Sequence, residues 1–264
     1  MPIYGAEQPA FLAQALESLS EQTYPADEVM IVADGPLEPA LEGVLTSFVA
    51  RLPLRIVRKE KCEGLGLALR LGVTACRNEL IARMDSDDIC LPERLARQVA
   101  RMESDPELAA LGTWIAEFVQ DEKHTHSKRC PPVDQQSILR FAKKRNPLNH
   151  MTVMFRRSVV LAAGNYEHLP GFEDFDLWSR LLQTGHILAN LPECLVLVRT
   201  GRGMVARRGG SAYLTAEREM FRRLWQRGFI SIFRYCWNLL VRPSVRLLPV
   251  PLRSLVYRVF LRNH

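Results

Sequence analysis

The 264-residue sequence predicts an α/β fold in which a mostly parallel central sheet is flanked by helices. Wholly apolar runs such as 29–33 (VMIVA) alternate with stretches of helical periodicity, which is typical of buried parallel strands between covering helices. Acidic residues follow two of these runs, at the strand ends where open α/β sheets bind ligands. Hydrophobic residues form 47% and charged residues 24% of the chain, which excludes disordered, collagen-like and coiled-coil proteins.

The predicted elements alternate along the chain. A helical stretch at 11–19 stops near Pro25, because the residue before a proline disfavours helical geometry. The strand at 29–33 then ends in an Asp-Gly-Pro turn. The further predictions are helices at 41–48, 65–76, 92–104, 138–143 and 172–182, strands at 54–57, 80–84, 108–119, 151–155 and within 188–199, and a loop at 120–132. Because only residues 1–4 precede the first turn, the first strand is expected to be short or curtailed.

The positive charge of the chain is confined to its C-terminal end. Nine arginines and no lysine, aspartate or glutamate lie between Met220 and His264, which leaves 26 basic and 29 acidic residues in 1–219 although the whole chain carries +6. An acidic body argues against a nucleic-acid groove. We therefore predict a main domain at 1–220 and a basic amphipathic helical tail at 221–264, which prolines divide into short helices suited to a membrane surface.

Other features of the sequence indicate where the protein is found. Its apolar runs are all shorter than the roughly 18 residues that a membrane-spanning helix needs. The first residues, MPIYGAEQ, lack the basic and apolar regions of a signal peptide. The six cysteines contain no CxxC pair and are expected to be reduced thiols. These features predict a cytoplasmic protein, peripheral on the inner face of the cytoplasmic membrane.

The strongest cluster of candidate functional residues is the segment 85–88 (DSDD), directly after an apolar run. Alternate residues of an extended chain point the same way, so Asp85 and Asp87 can share a target. Carboxylates of this kind hold magnesium or manganese against nucleotide phosphates. The alternative is that Asp88 and its neighbours cap the helix expected near Pro92.

An earlier strand end carries a second candidate. Asp34 can accept a hydrogen bond from a base or a ribose, or can serve only the Asp-Gly turn. Gly64 and Gly66 begin a helix and allow close approach of the backbone to a ligand, although the third glycine of a dinucleotide fingerprint is absent.

Acidic residues also cluster in FEDFDLW, at the start of the helix at 172–182. Glu173, Asp174 and Asp176 can interact with the helix dipole, or one of them can act as a general base for an acceptor hydroxyl. His150 precedes a strand and can reach the same site. Four arginines in VRTGRGMVARRGG can neutralise a diphosphate or form an ordinary exposed loop: Arg199, Arg202, Arg207 and Arg208.

Taken together, these segments resemble the family 2 glycosyltransferases, and in particular the bacterial, amylovoran-type branch that builds exopolysaccharides and surface polysaccharides. The resemblance extends to about residue 220. It is carried, in family order, by VADGP, EGLGLALRLG, LIARMDSDDICLPERL, KKRNPLNHMTVMF, FEDFDLW and VRTG.

The resemblance implies a GT-A fold at 1–220, a nucleotide-sugar donor, a Mn2+ or Mg2+ cofactor and inversion at the anomeric carbon. It implies that Asp34 contacts the donor base, Asp85 lies on the ribose side, Asp87 binds the metal and Asp174 is the catalytic base. The remaining residues expected to bind substrate are Gly64, His150, Glu173, Arg207 and Arg208. The expected donor is a UDP-sugar and the expected acceptor is a lipid-linked saccharide.

The sequence departs from the family pattern at three residues. Ala33 replaces the first acid of the common DDGS turn, and Cys62 and Arg70 stand where asparagine is frequent. The QxxRW signature of processive members is absent, which favours transfer of single sugars. Two alternatives remain open: a sugar nucleotidylyltransferase, although GAEQPAF lacks the basic residues of its loop, and a non-catalytic binding protein that uses the basic tail.

Overall fold

The computed structural model describes residues 1–200 and 210–246, with side chains described as far as residue 241. The strands in these ranges are β1 (Pro2–Ile3), β2 (Val29–Ala33), β3 (Leu54–Arg58), β4 (Leu80–Ala82), β5 (Ile89–Cys90), β6 (Leu108–Phe118), β7 (Ser127–Arg129), β8 (Met154–Arg156) and β9 (Ile187–Arg199). The α-helices are α1 (Pro9–Ser20), α2 (Pro39–Phe48), α3 (Leu65–Ala75), α4 (Arg94–Glu103), α5 (Gln135–Ala142), α6 (Arg157–Ala162), α7 (Glu173–Gln183), α8 (Gly210–Gln226) and α9 (Ile232–Arg246).

The first three strands form a parallel sheet in the order β1-β2-β3. Every residue of β2 is buried, and its side chains alternate between the two faces of the sheet. Ile31 packs in one cluster with Leu12 of α1 and Leu41 of α2, whereas Val32 packs with Ala68 of α3. Helices therefore cover both faces, as the continuous apolar run of β2 predicts.

The second sheet is less parallel than the sequence predicts. Its strand order is β4-β8-β6-β9-β5, with β7 paired to β6. Among the described strands of this sheet, only the long pair β6–β9 is parallel, and the other pairs are antiparallel. The α/β class is confirmed, but the mostly parallel character belongs to the first sheet alone. A continuous apolar run predicts that a strand is buried on two faces, but it does not predict the direction of the neighbouring strand.

Four elements were not predicted from the sequence. β5 has two residues and β7 lies inside the predicted loop at 120–132, so neither is long enough to show a period. α6 follows β8 directly, and α8 lies beyond the last predicted strand. The segment predicted as a strand at 151–155 begins in a 3-10 turn, His150–Thr152. The strand itself is β8, Met154–Arg156.

α8 is part of the main core, and the boundary predicted at residue 220 falls inside it. Met220, Phe221 and Leu224 pack in the same buried cluster as Trp178 of α7. Asp176 of α7 is fully buried. Its carboxylate accepts hydrogen bonds from Arg180 of α7 at 2.9 Å and from Arg227 just after α8 at 2.8 Å. α7 and α8 are thus joined by apolar packing and by a buried ionic contact.

α9 follows α8 and differs from the prediction in one respect. The helix runs to Arg246 through Pro243, so this proline does not divide the tail there. Pro243 lies in the last turn of this helix. The side chains of Phe233, Trp237 and Leu240 are 84%, 64% and 72% exposed and share one face of α9. The rest of the predicted tail lies outside the described residues.

None of the described helices combines the length and the apolar character needed to cross a bilayer. All six cysteines lie in the described ranges and are free thiols. The expectation of unpaired cysteines is therefore confirmed.

Candidate active site

Three carboxylates gather between β4 and β5. Asp85, Asp87 and Asp88 each place an oxygen within 4.8 Å of the others. The predicted pair Asp85 and Asp87 is therefore brought together, and Asp88 joins it. Asp88 does not cap a helix as the alternative proposed, because α4 begins at Arg94 and the Oδ1 atom of Asp88 instead accepts a hydrogen bond from the Arg199 N–H at 3.0 Å.

Burial and, to a smaller extent, mutual repulsion raise the pKa values of two carboxylates in this acidic cluster. Burial, followed by the charges of Asp85 and Glu7, raises the pKa of Asp87 to about 6. Burial, followed by the charges of Asp85 and Asp87, raises the pKa of Asp88 well above its ordinary value. Arg83 is the nearby counter-charge, since its guanidinium is buried and binds both oxygens of Asp85, at 2.7 and 2.5 Å. A cation would relieve the remaining repulsion.

The residues of the acidic cluster fit a hard divalent cation. Their donors are all carboxylate oxygens, which magnesium and manganese prefer. The Oδ2 atom of Asp88 is buried and has no hydrogen-bond partner among the described residues. A buried acceptor without a donor is costly unless an unseen ligand completes it.

Arg83 and Arg94 support the acidic cluster from the apolar side. Arg94 is fully buried, and its guanidinium donates to the carbonyl of Arg83 at 2.6 Å and to the sulfur of Cys90 at 2.9 Å. Arg94 therefore holds the backbone before the DSDD segment and a side chain after it. Neither arginine is predicted from the sequence to be buried, since charged residues usually lie at the surface.

Asp34 lies at the end of β2, and its carboxylate is bound by the loop between β3 and α3. It accepts hydrogen bonds from Lys59 Nζ at 2.8 Å, Glu63 N at 3.0 Å, Gly64 N at 2.9 Å and Cys62 Sγ at 3.3 Å. Burial raises the pKa of Asp34, but these donors outweigh it and hold the pKa below its ordinary value. Asp34 thus shapes the loop that begins α3, and its contact with a donor base stays a prediction.

Cys62 and Arg70, which depart from the family pattern, both form hydrogen bonds. The thiol of Cys62 donates to Asp34, in the place where asparagine is frequent. The guanidinium of Arg70 donates to the carbonyl of Tyr166 at 3.1 Å. Arg70 therefore ties α3 to the segment that precedes α7.

Asp174 lies in the first turn of α7 and is 8% exposed. Its Oδ1 accepts a hydrogen bond from the Phe175 N–H at 2.8 Å, and its Oδ2 accepts one from the side-chain amide of Asn146. Burial raises the pKa of this carboxyl above its ordinary value, while the two hydrogen bonds oppose that change. A buried carboxylate with a raised pKa is well suited to accept a proton.

His150 lies beside Asp174. Its Nδ1 lies 3.9 Å from Asp174 Oδ2, and its Nε2 lies 3.0 Å from the hydroxyl of Tyr166. Burial and the charge of Arg83 lower the pKa of His150 well below its ordinary value. The imidazole is therefore neutral near pH 7, and its contact with Asp174 is not an ion pair.

Glu173 joins the start of α7 to the start of α3. A Cβ atom added to Gly66 would lie 2.8 Å from Glu173 Cγ, so only glycine allows this approach. The same helix start carries Gly64, which binds Asp34. Predicted residues from three elements are thus connected through direct contacts. Burial, with a smaller contribution from Asp174, raises the pKa of Glu173 to about 7.

The raised pKa of Glu173 predicts a pH-dependent effect on stability. The unfolded carboxyl ionises near 4.5 and the folded one near 7, so the folded state binds the proton more tightly. Wild-type stability should fall as pH rises across this window. Glu173→Gln should remove the contribution of this residue to the fall and raise the free energy of unfolding by about 3 kcal/mol above neutral pH, with little difference at low pH. Urea denaturation at several pH values measures this.

The matched control is Glu103→Gln, because Glu103 is exposed on α4. This control should leave the pH dependence as in the wild type. An equal stability difference between wild type and Glu173→Gln at acid and alkaline pH would show that Glu173 ionises normally in the folded protein.

The remaining predicted site residues lie outside the described ranges. Arg202, Arg207 and Arg208 fall in 201–209. Arg199 is described, and its guanidinium packs over the rings of Phe11 and Phe118 at 3.9 and 4.6 Å.

The structure is similar to solved glycosyltransferases. A mannosyltransferase from Pyrobaculum calidifontis in complex with GDP-Man and Mn2+ matches 98% of this chain and 74% of its own, with a TM-score of 0.68 and 16% identity. S. aureus TarS 1–349 in complex with UDP-GlcNAc matches 99% of this chain and 74% of its own, also with a TM-score of 0.68 and 16% identity. This likeness shows the GT-A fold, and the acidic cluster lies at the end of β4 of that fold.

Residues 1–162 match the family described as Glycosyl transferase family 2, and the chain belongs to that family. It is 43% identical, over 97% of its length and 95% of the relative's, to the amylovoran biosynthesis glycosyltransferase AmsE of Erwinia amylovora. It is 32% identical, over 100% and 95%, to the UDP-Gal:alpha-D-GlcNAc-diphosphoundecaprenol beta-1,3-galactosyltransferase of Escherichia coli. The resemblance found in the sequence is confirmed, and family membership gives no support to a nucleotidylyltransferase.

Proposed function

We propose that this family 2 enzyme is an inverting, non-processive glycosyltransferase that moves one sugar from a UDP-sugar to a lipid-linked saccharide, in exopolysaccharide or surface polysaccharide synthesis. The observation that carries the proposal is the presence of two distinct carboxylate sites. One is the acidic cluster of Asp85, Asp87 and Asp88, and the other is the buried Asp174. The charge of Arg83 acts on the pKa of both sites, which supports their belonging to one active site.

The acidic cluster forms the donor side of this proposal. Asp87 and its neighbours hold Mn2+ or Mg2+, and Asp85 lies on the ribose side. When bound, the cation supplies positive charge that stabilises the departing diphosphate. Asp34 and Gly64 shape the base side through the loop before α3, and Arg207 and Arg208 neutralise the diphosphate. A relative whose name gives UDP-Gal as its donor favours a uridine nucleotide.

Asp174 forms the acceptor side. The acceptor hydroxyl oxygen attacks the anomeric carbon of the donor, and its proton passes to the Asp174 carboxylate. The bond from the anomeric carbon to the phosphate oxygen breaks, and the nucleoside diphosphate leaves with the electron pair. Attack opposite the leaving group inverts the anomeric carbon. The neutral His150 and the buried Glu173 line the same region and bind substrate hydroxyls.

The nature of the acceptor is supported by relatives and by the sequence. The name of the E. coli relative gives its acceptor as a saccharide linked through diphosphate to undecaprenol. The sequence lacks QxxRW, a signature of processive members. We therefore place this enzyme among those that add single sugars to a growing lipid-linked unit.

The experiment that tests the proposal is a donor panel. The purified full chain is incubated with Mn2+, a bacterial lipid extract and, in turn, UDP-galactose, UDP-glucose, UDP-N-acetylglucosamine and GDP-mannose. Release of nucleotide together with label in the lipid phase, from a uridine donor, is the expected result. Label transferred only from GDP-mannose would contradict the choice of UDP, and nucleotide release without labelled lipid would contradict the acceptor class.

The proposed partner at the lipid end is the inner face of the cytoplasmic membrane. Phe233, Trp237 and Leu240 give α9 an exposed apolar face, and the arginines of the tail suit anionic headgroups. Each arginine close to an anionic surface contributes about 1 kcal/mol, so a few are enough for binding at low salt. Docking of this kind would bring the active site to a lipid-linked acceptor.

Liposome flotation is expected to show the full chain bound to anionic vesicles at low salt and progressively released as salt is raised. Phe233→Glu combined with Trp237→Glu should abolish flotation, because it places two negative charges on the apolar face. Removal of the chain from Ile232 onward should likewise abolish flotation. The truncation keeps Phe229 and Ile230, because they are buried in the core and their removal would disturb the fold.

Val49→Glu is the matched control. Val49 is 62% exposed and directly follows α2, far from the tail in the sequence. This control should float like the wild type. Recovery of the full chain in the soluble fraction at low salt, or undiminished flotation of the truncated chain, would disprove docking through the tail.

A further inference from the structure

Asn146 lies in the segment between α5 and the 3-10 turn, and it contacts Asp174 directly. Its side-chain Nδ2 donates to Asp174 Oδ2, while its Oδ1 accepts a hydrogen bond from the Leu148 N–H at 3.3 Å. This second bond identifies which end of the amide is the oxygen and aims the NH2 group at the carboxylate. Asn146 is half-buried and therefore borders both the core and the open site.

The segment that carries Asn146 is firmly held. Leu148 is fully buried in the main core, and the carbonyl of Pro147 accepts a hydrogen bond from Asn190 of β9 at 3.1 Å. The donor to Asp174 Oδ1 is a backbone N–H of α7. The carboxylate is thus held through one oxygen by its own helix and through the other by an independent, anchored segment.

We infer that Asn146 is a positioning residue for transfer: its amide fixes the orientation of the Asp174 carboxylate and stabilises its charged form. This inference rests on the proposed role of Asp174 as the base. A hydrogen bond to a charged acceptor is stronger than one to a neutral acceptor, so the amide favours the ionised carboxylate. Burial raises the pKa of Asp174, and Asn146 is the strongest influence that lowers it again.

The other groups that face Asp174 do not replace this amide. Glu173 precedes it on the same helix and is itself a carboxyl group. His150 is neutral near pH 7 because burial lowers its pKa. The cations Arg83 and Arg129 act on Asp174 through their charge, and the guanidinium of Arg83 is bound to Asp85. The described side-chain donor to the carboxylate is Asn146.

A substrate-free test uses a double-mutant cycle. Asn146→Ala should destabilise the protein more at pH 8 than at pH 4, since the charged hydrogen bond exists only when Asp174 is ionised. In the Asp174→Asn background, the effect of Asn146→Ala should no longer depend on pH. An effect that is independent of pH in both backgrounds would overturn the inference, whether or not a donor is known.

The kinetic test follows UDP release from the uridine donor of the panel, with lipid extract, across about pH 5 to 9. Asn146→Ala should move the acid limb of kcat to higher pH by about one unit, which is about tenfold on that limb, and leave the donor KM unchanged. Asn146→Asp keeps the size of the side chain and places a like charge beside Asp174, so it should move the limb further. Asn146→Asp also serves if Asn146→Ala does not fold.

The exposed Asn78→Ala is the control for loss of an asparagine and should keep the wild-type profile. A wild-type acid limb in both Asn146 variants, or a change confined to donor KM, would overturn the inference. Asp174→Asn measured in parallel separates the two claims. If that variant is inactive while the Asn146 variants keep the wild-type limb, only the positioning role fails; if it is active, the proposed base itself fails.

Discussion

Asp174→Asn is expected to lower sugar transfer by about 100-fold or more while the fold and the affinity for UDP stay as in the wild type. The asparagine side chain has nearly the same shape and can still accept the Phe175 N–H, so α7 should form normally. It cannot take a proton from an acceptor hydroxyl. Initial rates measure sugar transfer, and calorimetry measures the affinity for UDP.

Asp134→Asn is the matched control for this substitution. Asp134 is a true helix cap, since its carboxylate accepts the Ser137 N–H at the start of α5 at 2.9 Å. Asparagine is an equally good cap, so transfer by this variant should be unchanged. If Asp174→Asn retains near-normal turnover, Asp174 has the same capping role as Asp134 and is not the base.

Asp87→Ala is expected to abolish the manganese-dependent part of nucleotide binding. The variant removes one of three oxygens that lie within 4.8 Å of one another, and Asp85 is already bound to Arg83. Little negative charge would then remain free to hold a cation against the diphosphate. Calorimetry with UDP, with and without Mn2+, gives the result directly.

The control for this variant is Asp121→Ala, which removes an exposed carboxylate far along the chain, beyond β6. Its UDP binding should depend on Mn2+ as in the wild type. An Asp87→Ala protein with unchanged manganese-dependent affinity would rule out Asp87 as a metal ligand.

Some of this architecture could be predicted from the sequence because its signals are local. The apolar run of β2 is one continuous segment of sequence, and the carboxylates after β4 are another. The pattern therefore predicts the strand, and it predicts that the carboxylates follow a strand. The contacts of Asn146 with Asp174, and of Gly66 with Glu173, join residues far apart in the chain. Such contacts leave no periodicity and no spacing signal. The pairing directions of the second sheet were missed for the same reason, since they depend on partners distant in sequence.

Arg83 and Arg94 show a different limit. Both arginines are almost fully buried beside an apolar strand, where composition favours hydrophobic residues. Their burial is tolerated because one binds a carboxylate and the other binds backbone and sulfur acceptors. A sequence pattern records that a charge is present, but it does not record the buried partner that makes the charge acceptable.

The buried contact of Asp176 with Arg180 and Arg227 has a consequence for the size of the acceptor. Asp176 lies two residues after Asp174 on α7, and Arg227 lies between α8 and α9. The segment that leads from α8 into α9 is therefore tied to the helix that carries the proposed base. If α9 rests on a bilayer, the reacting carboxylate stands at a constant height above the lipid. That height would limit transfer to saccharides of a particular length, independently of which sugars they contain.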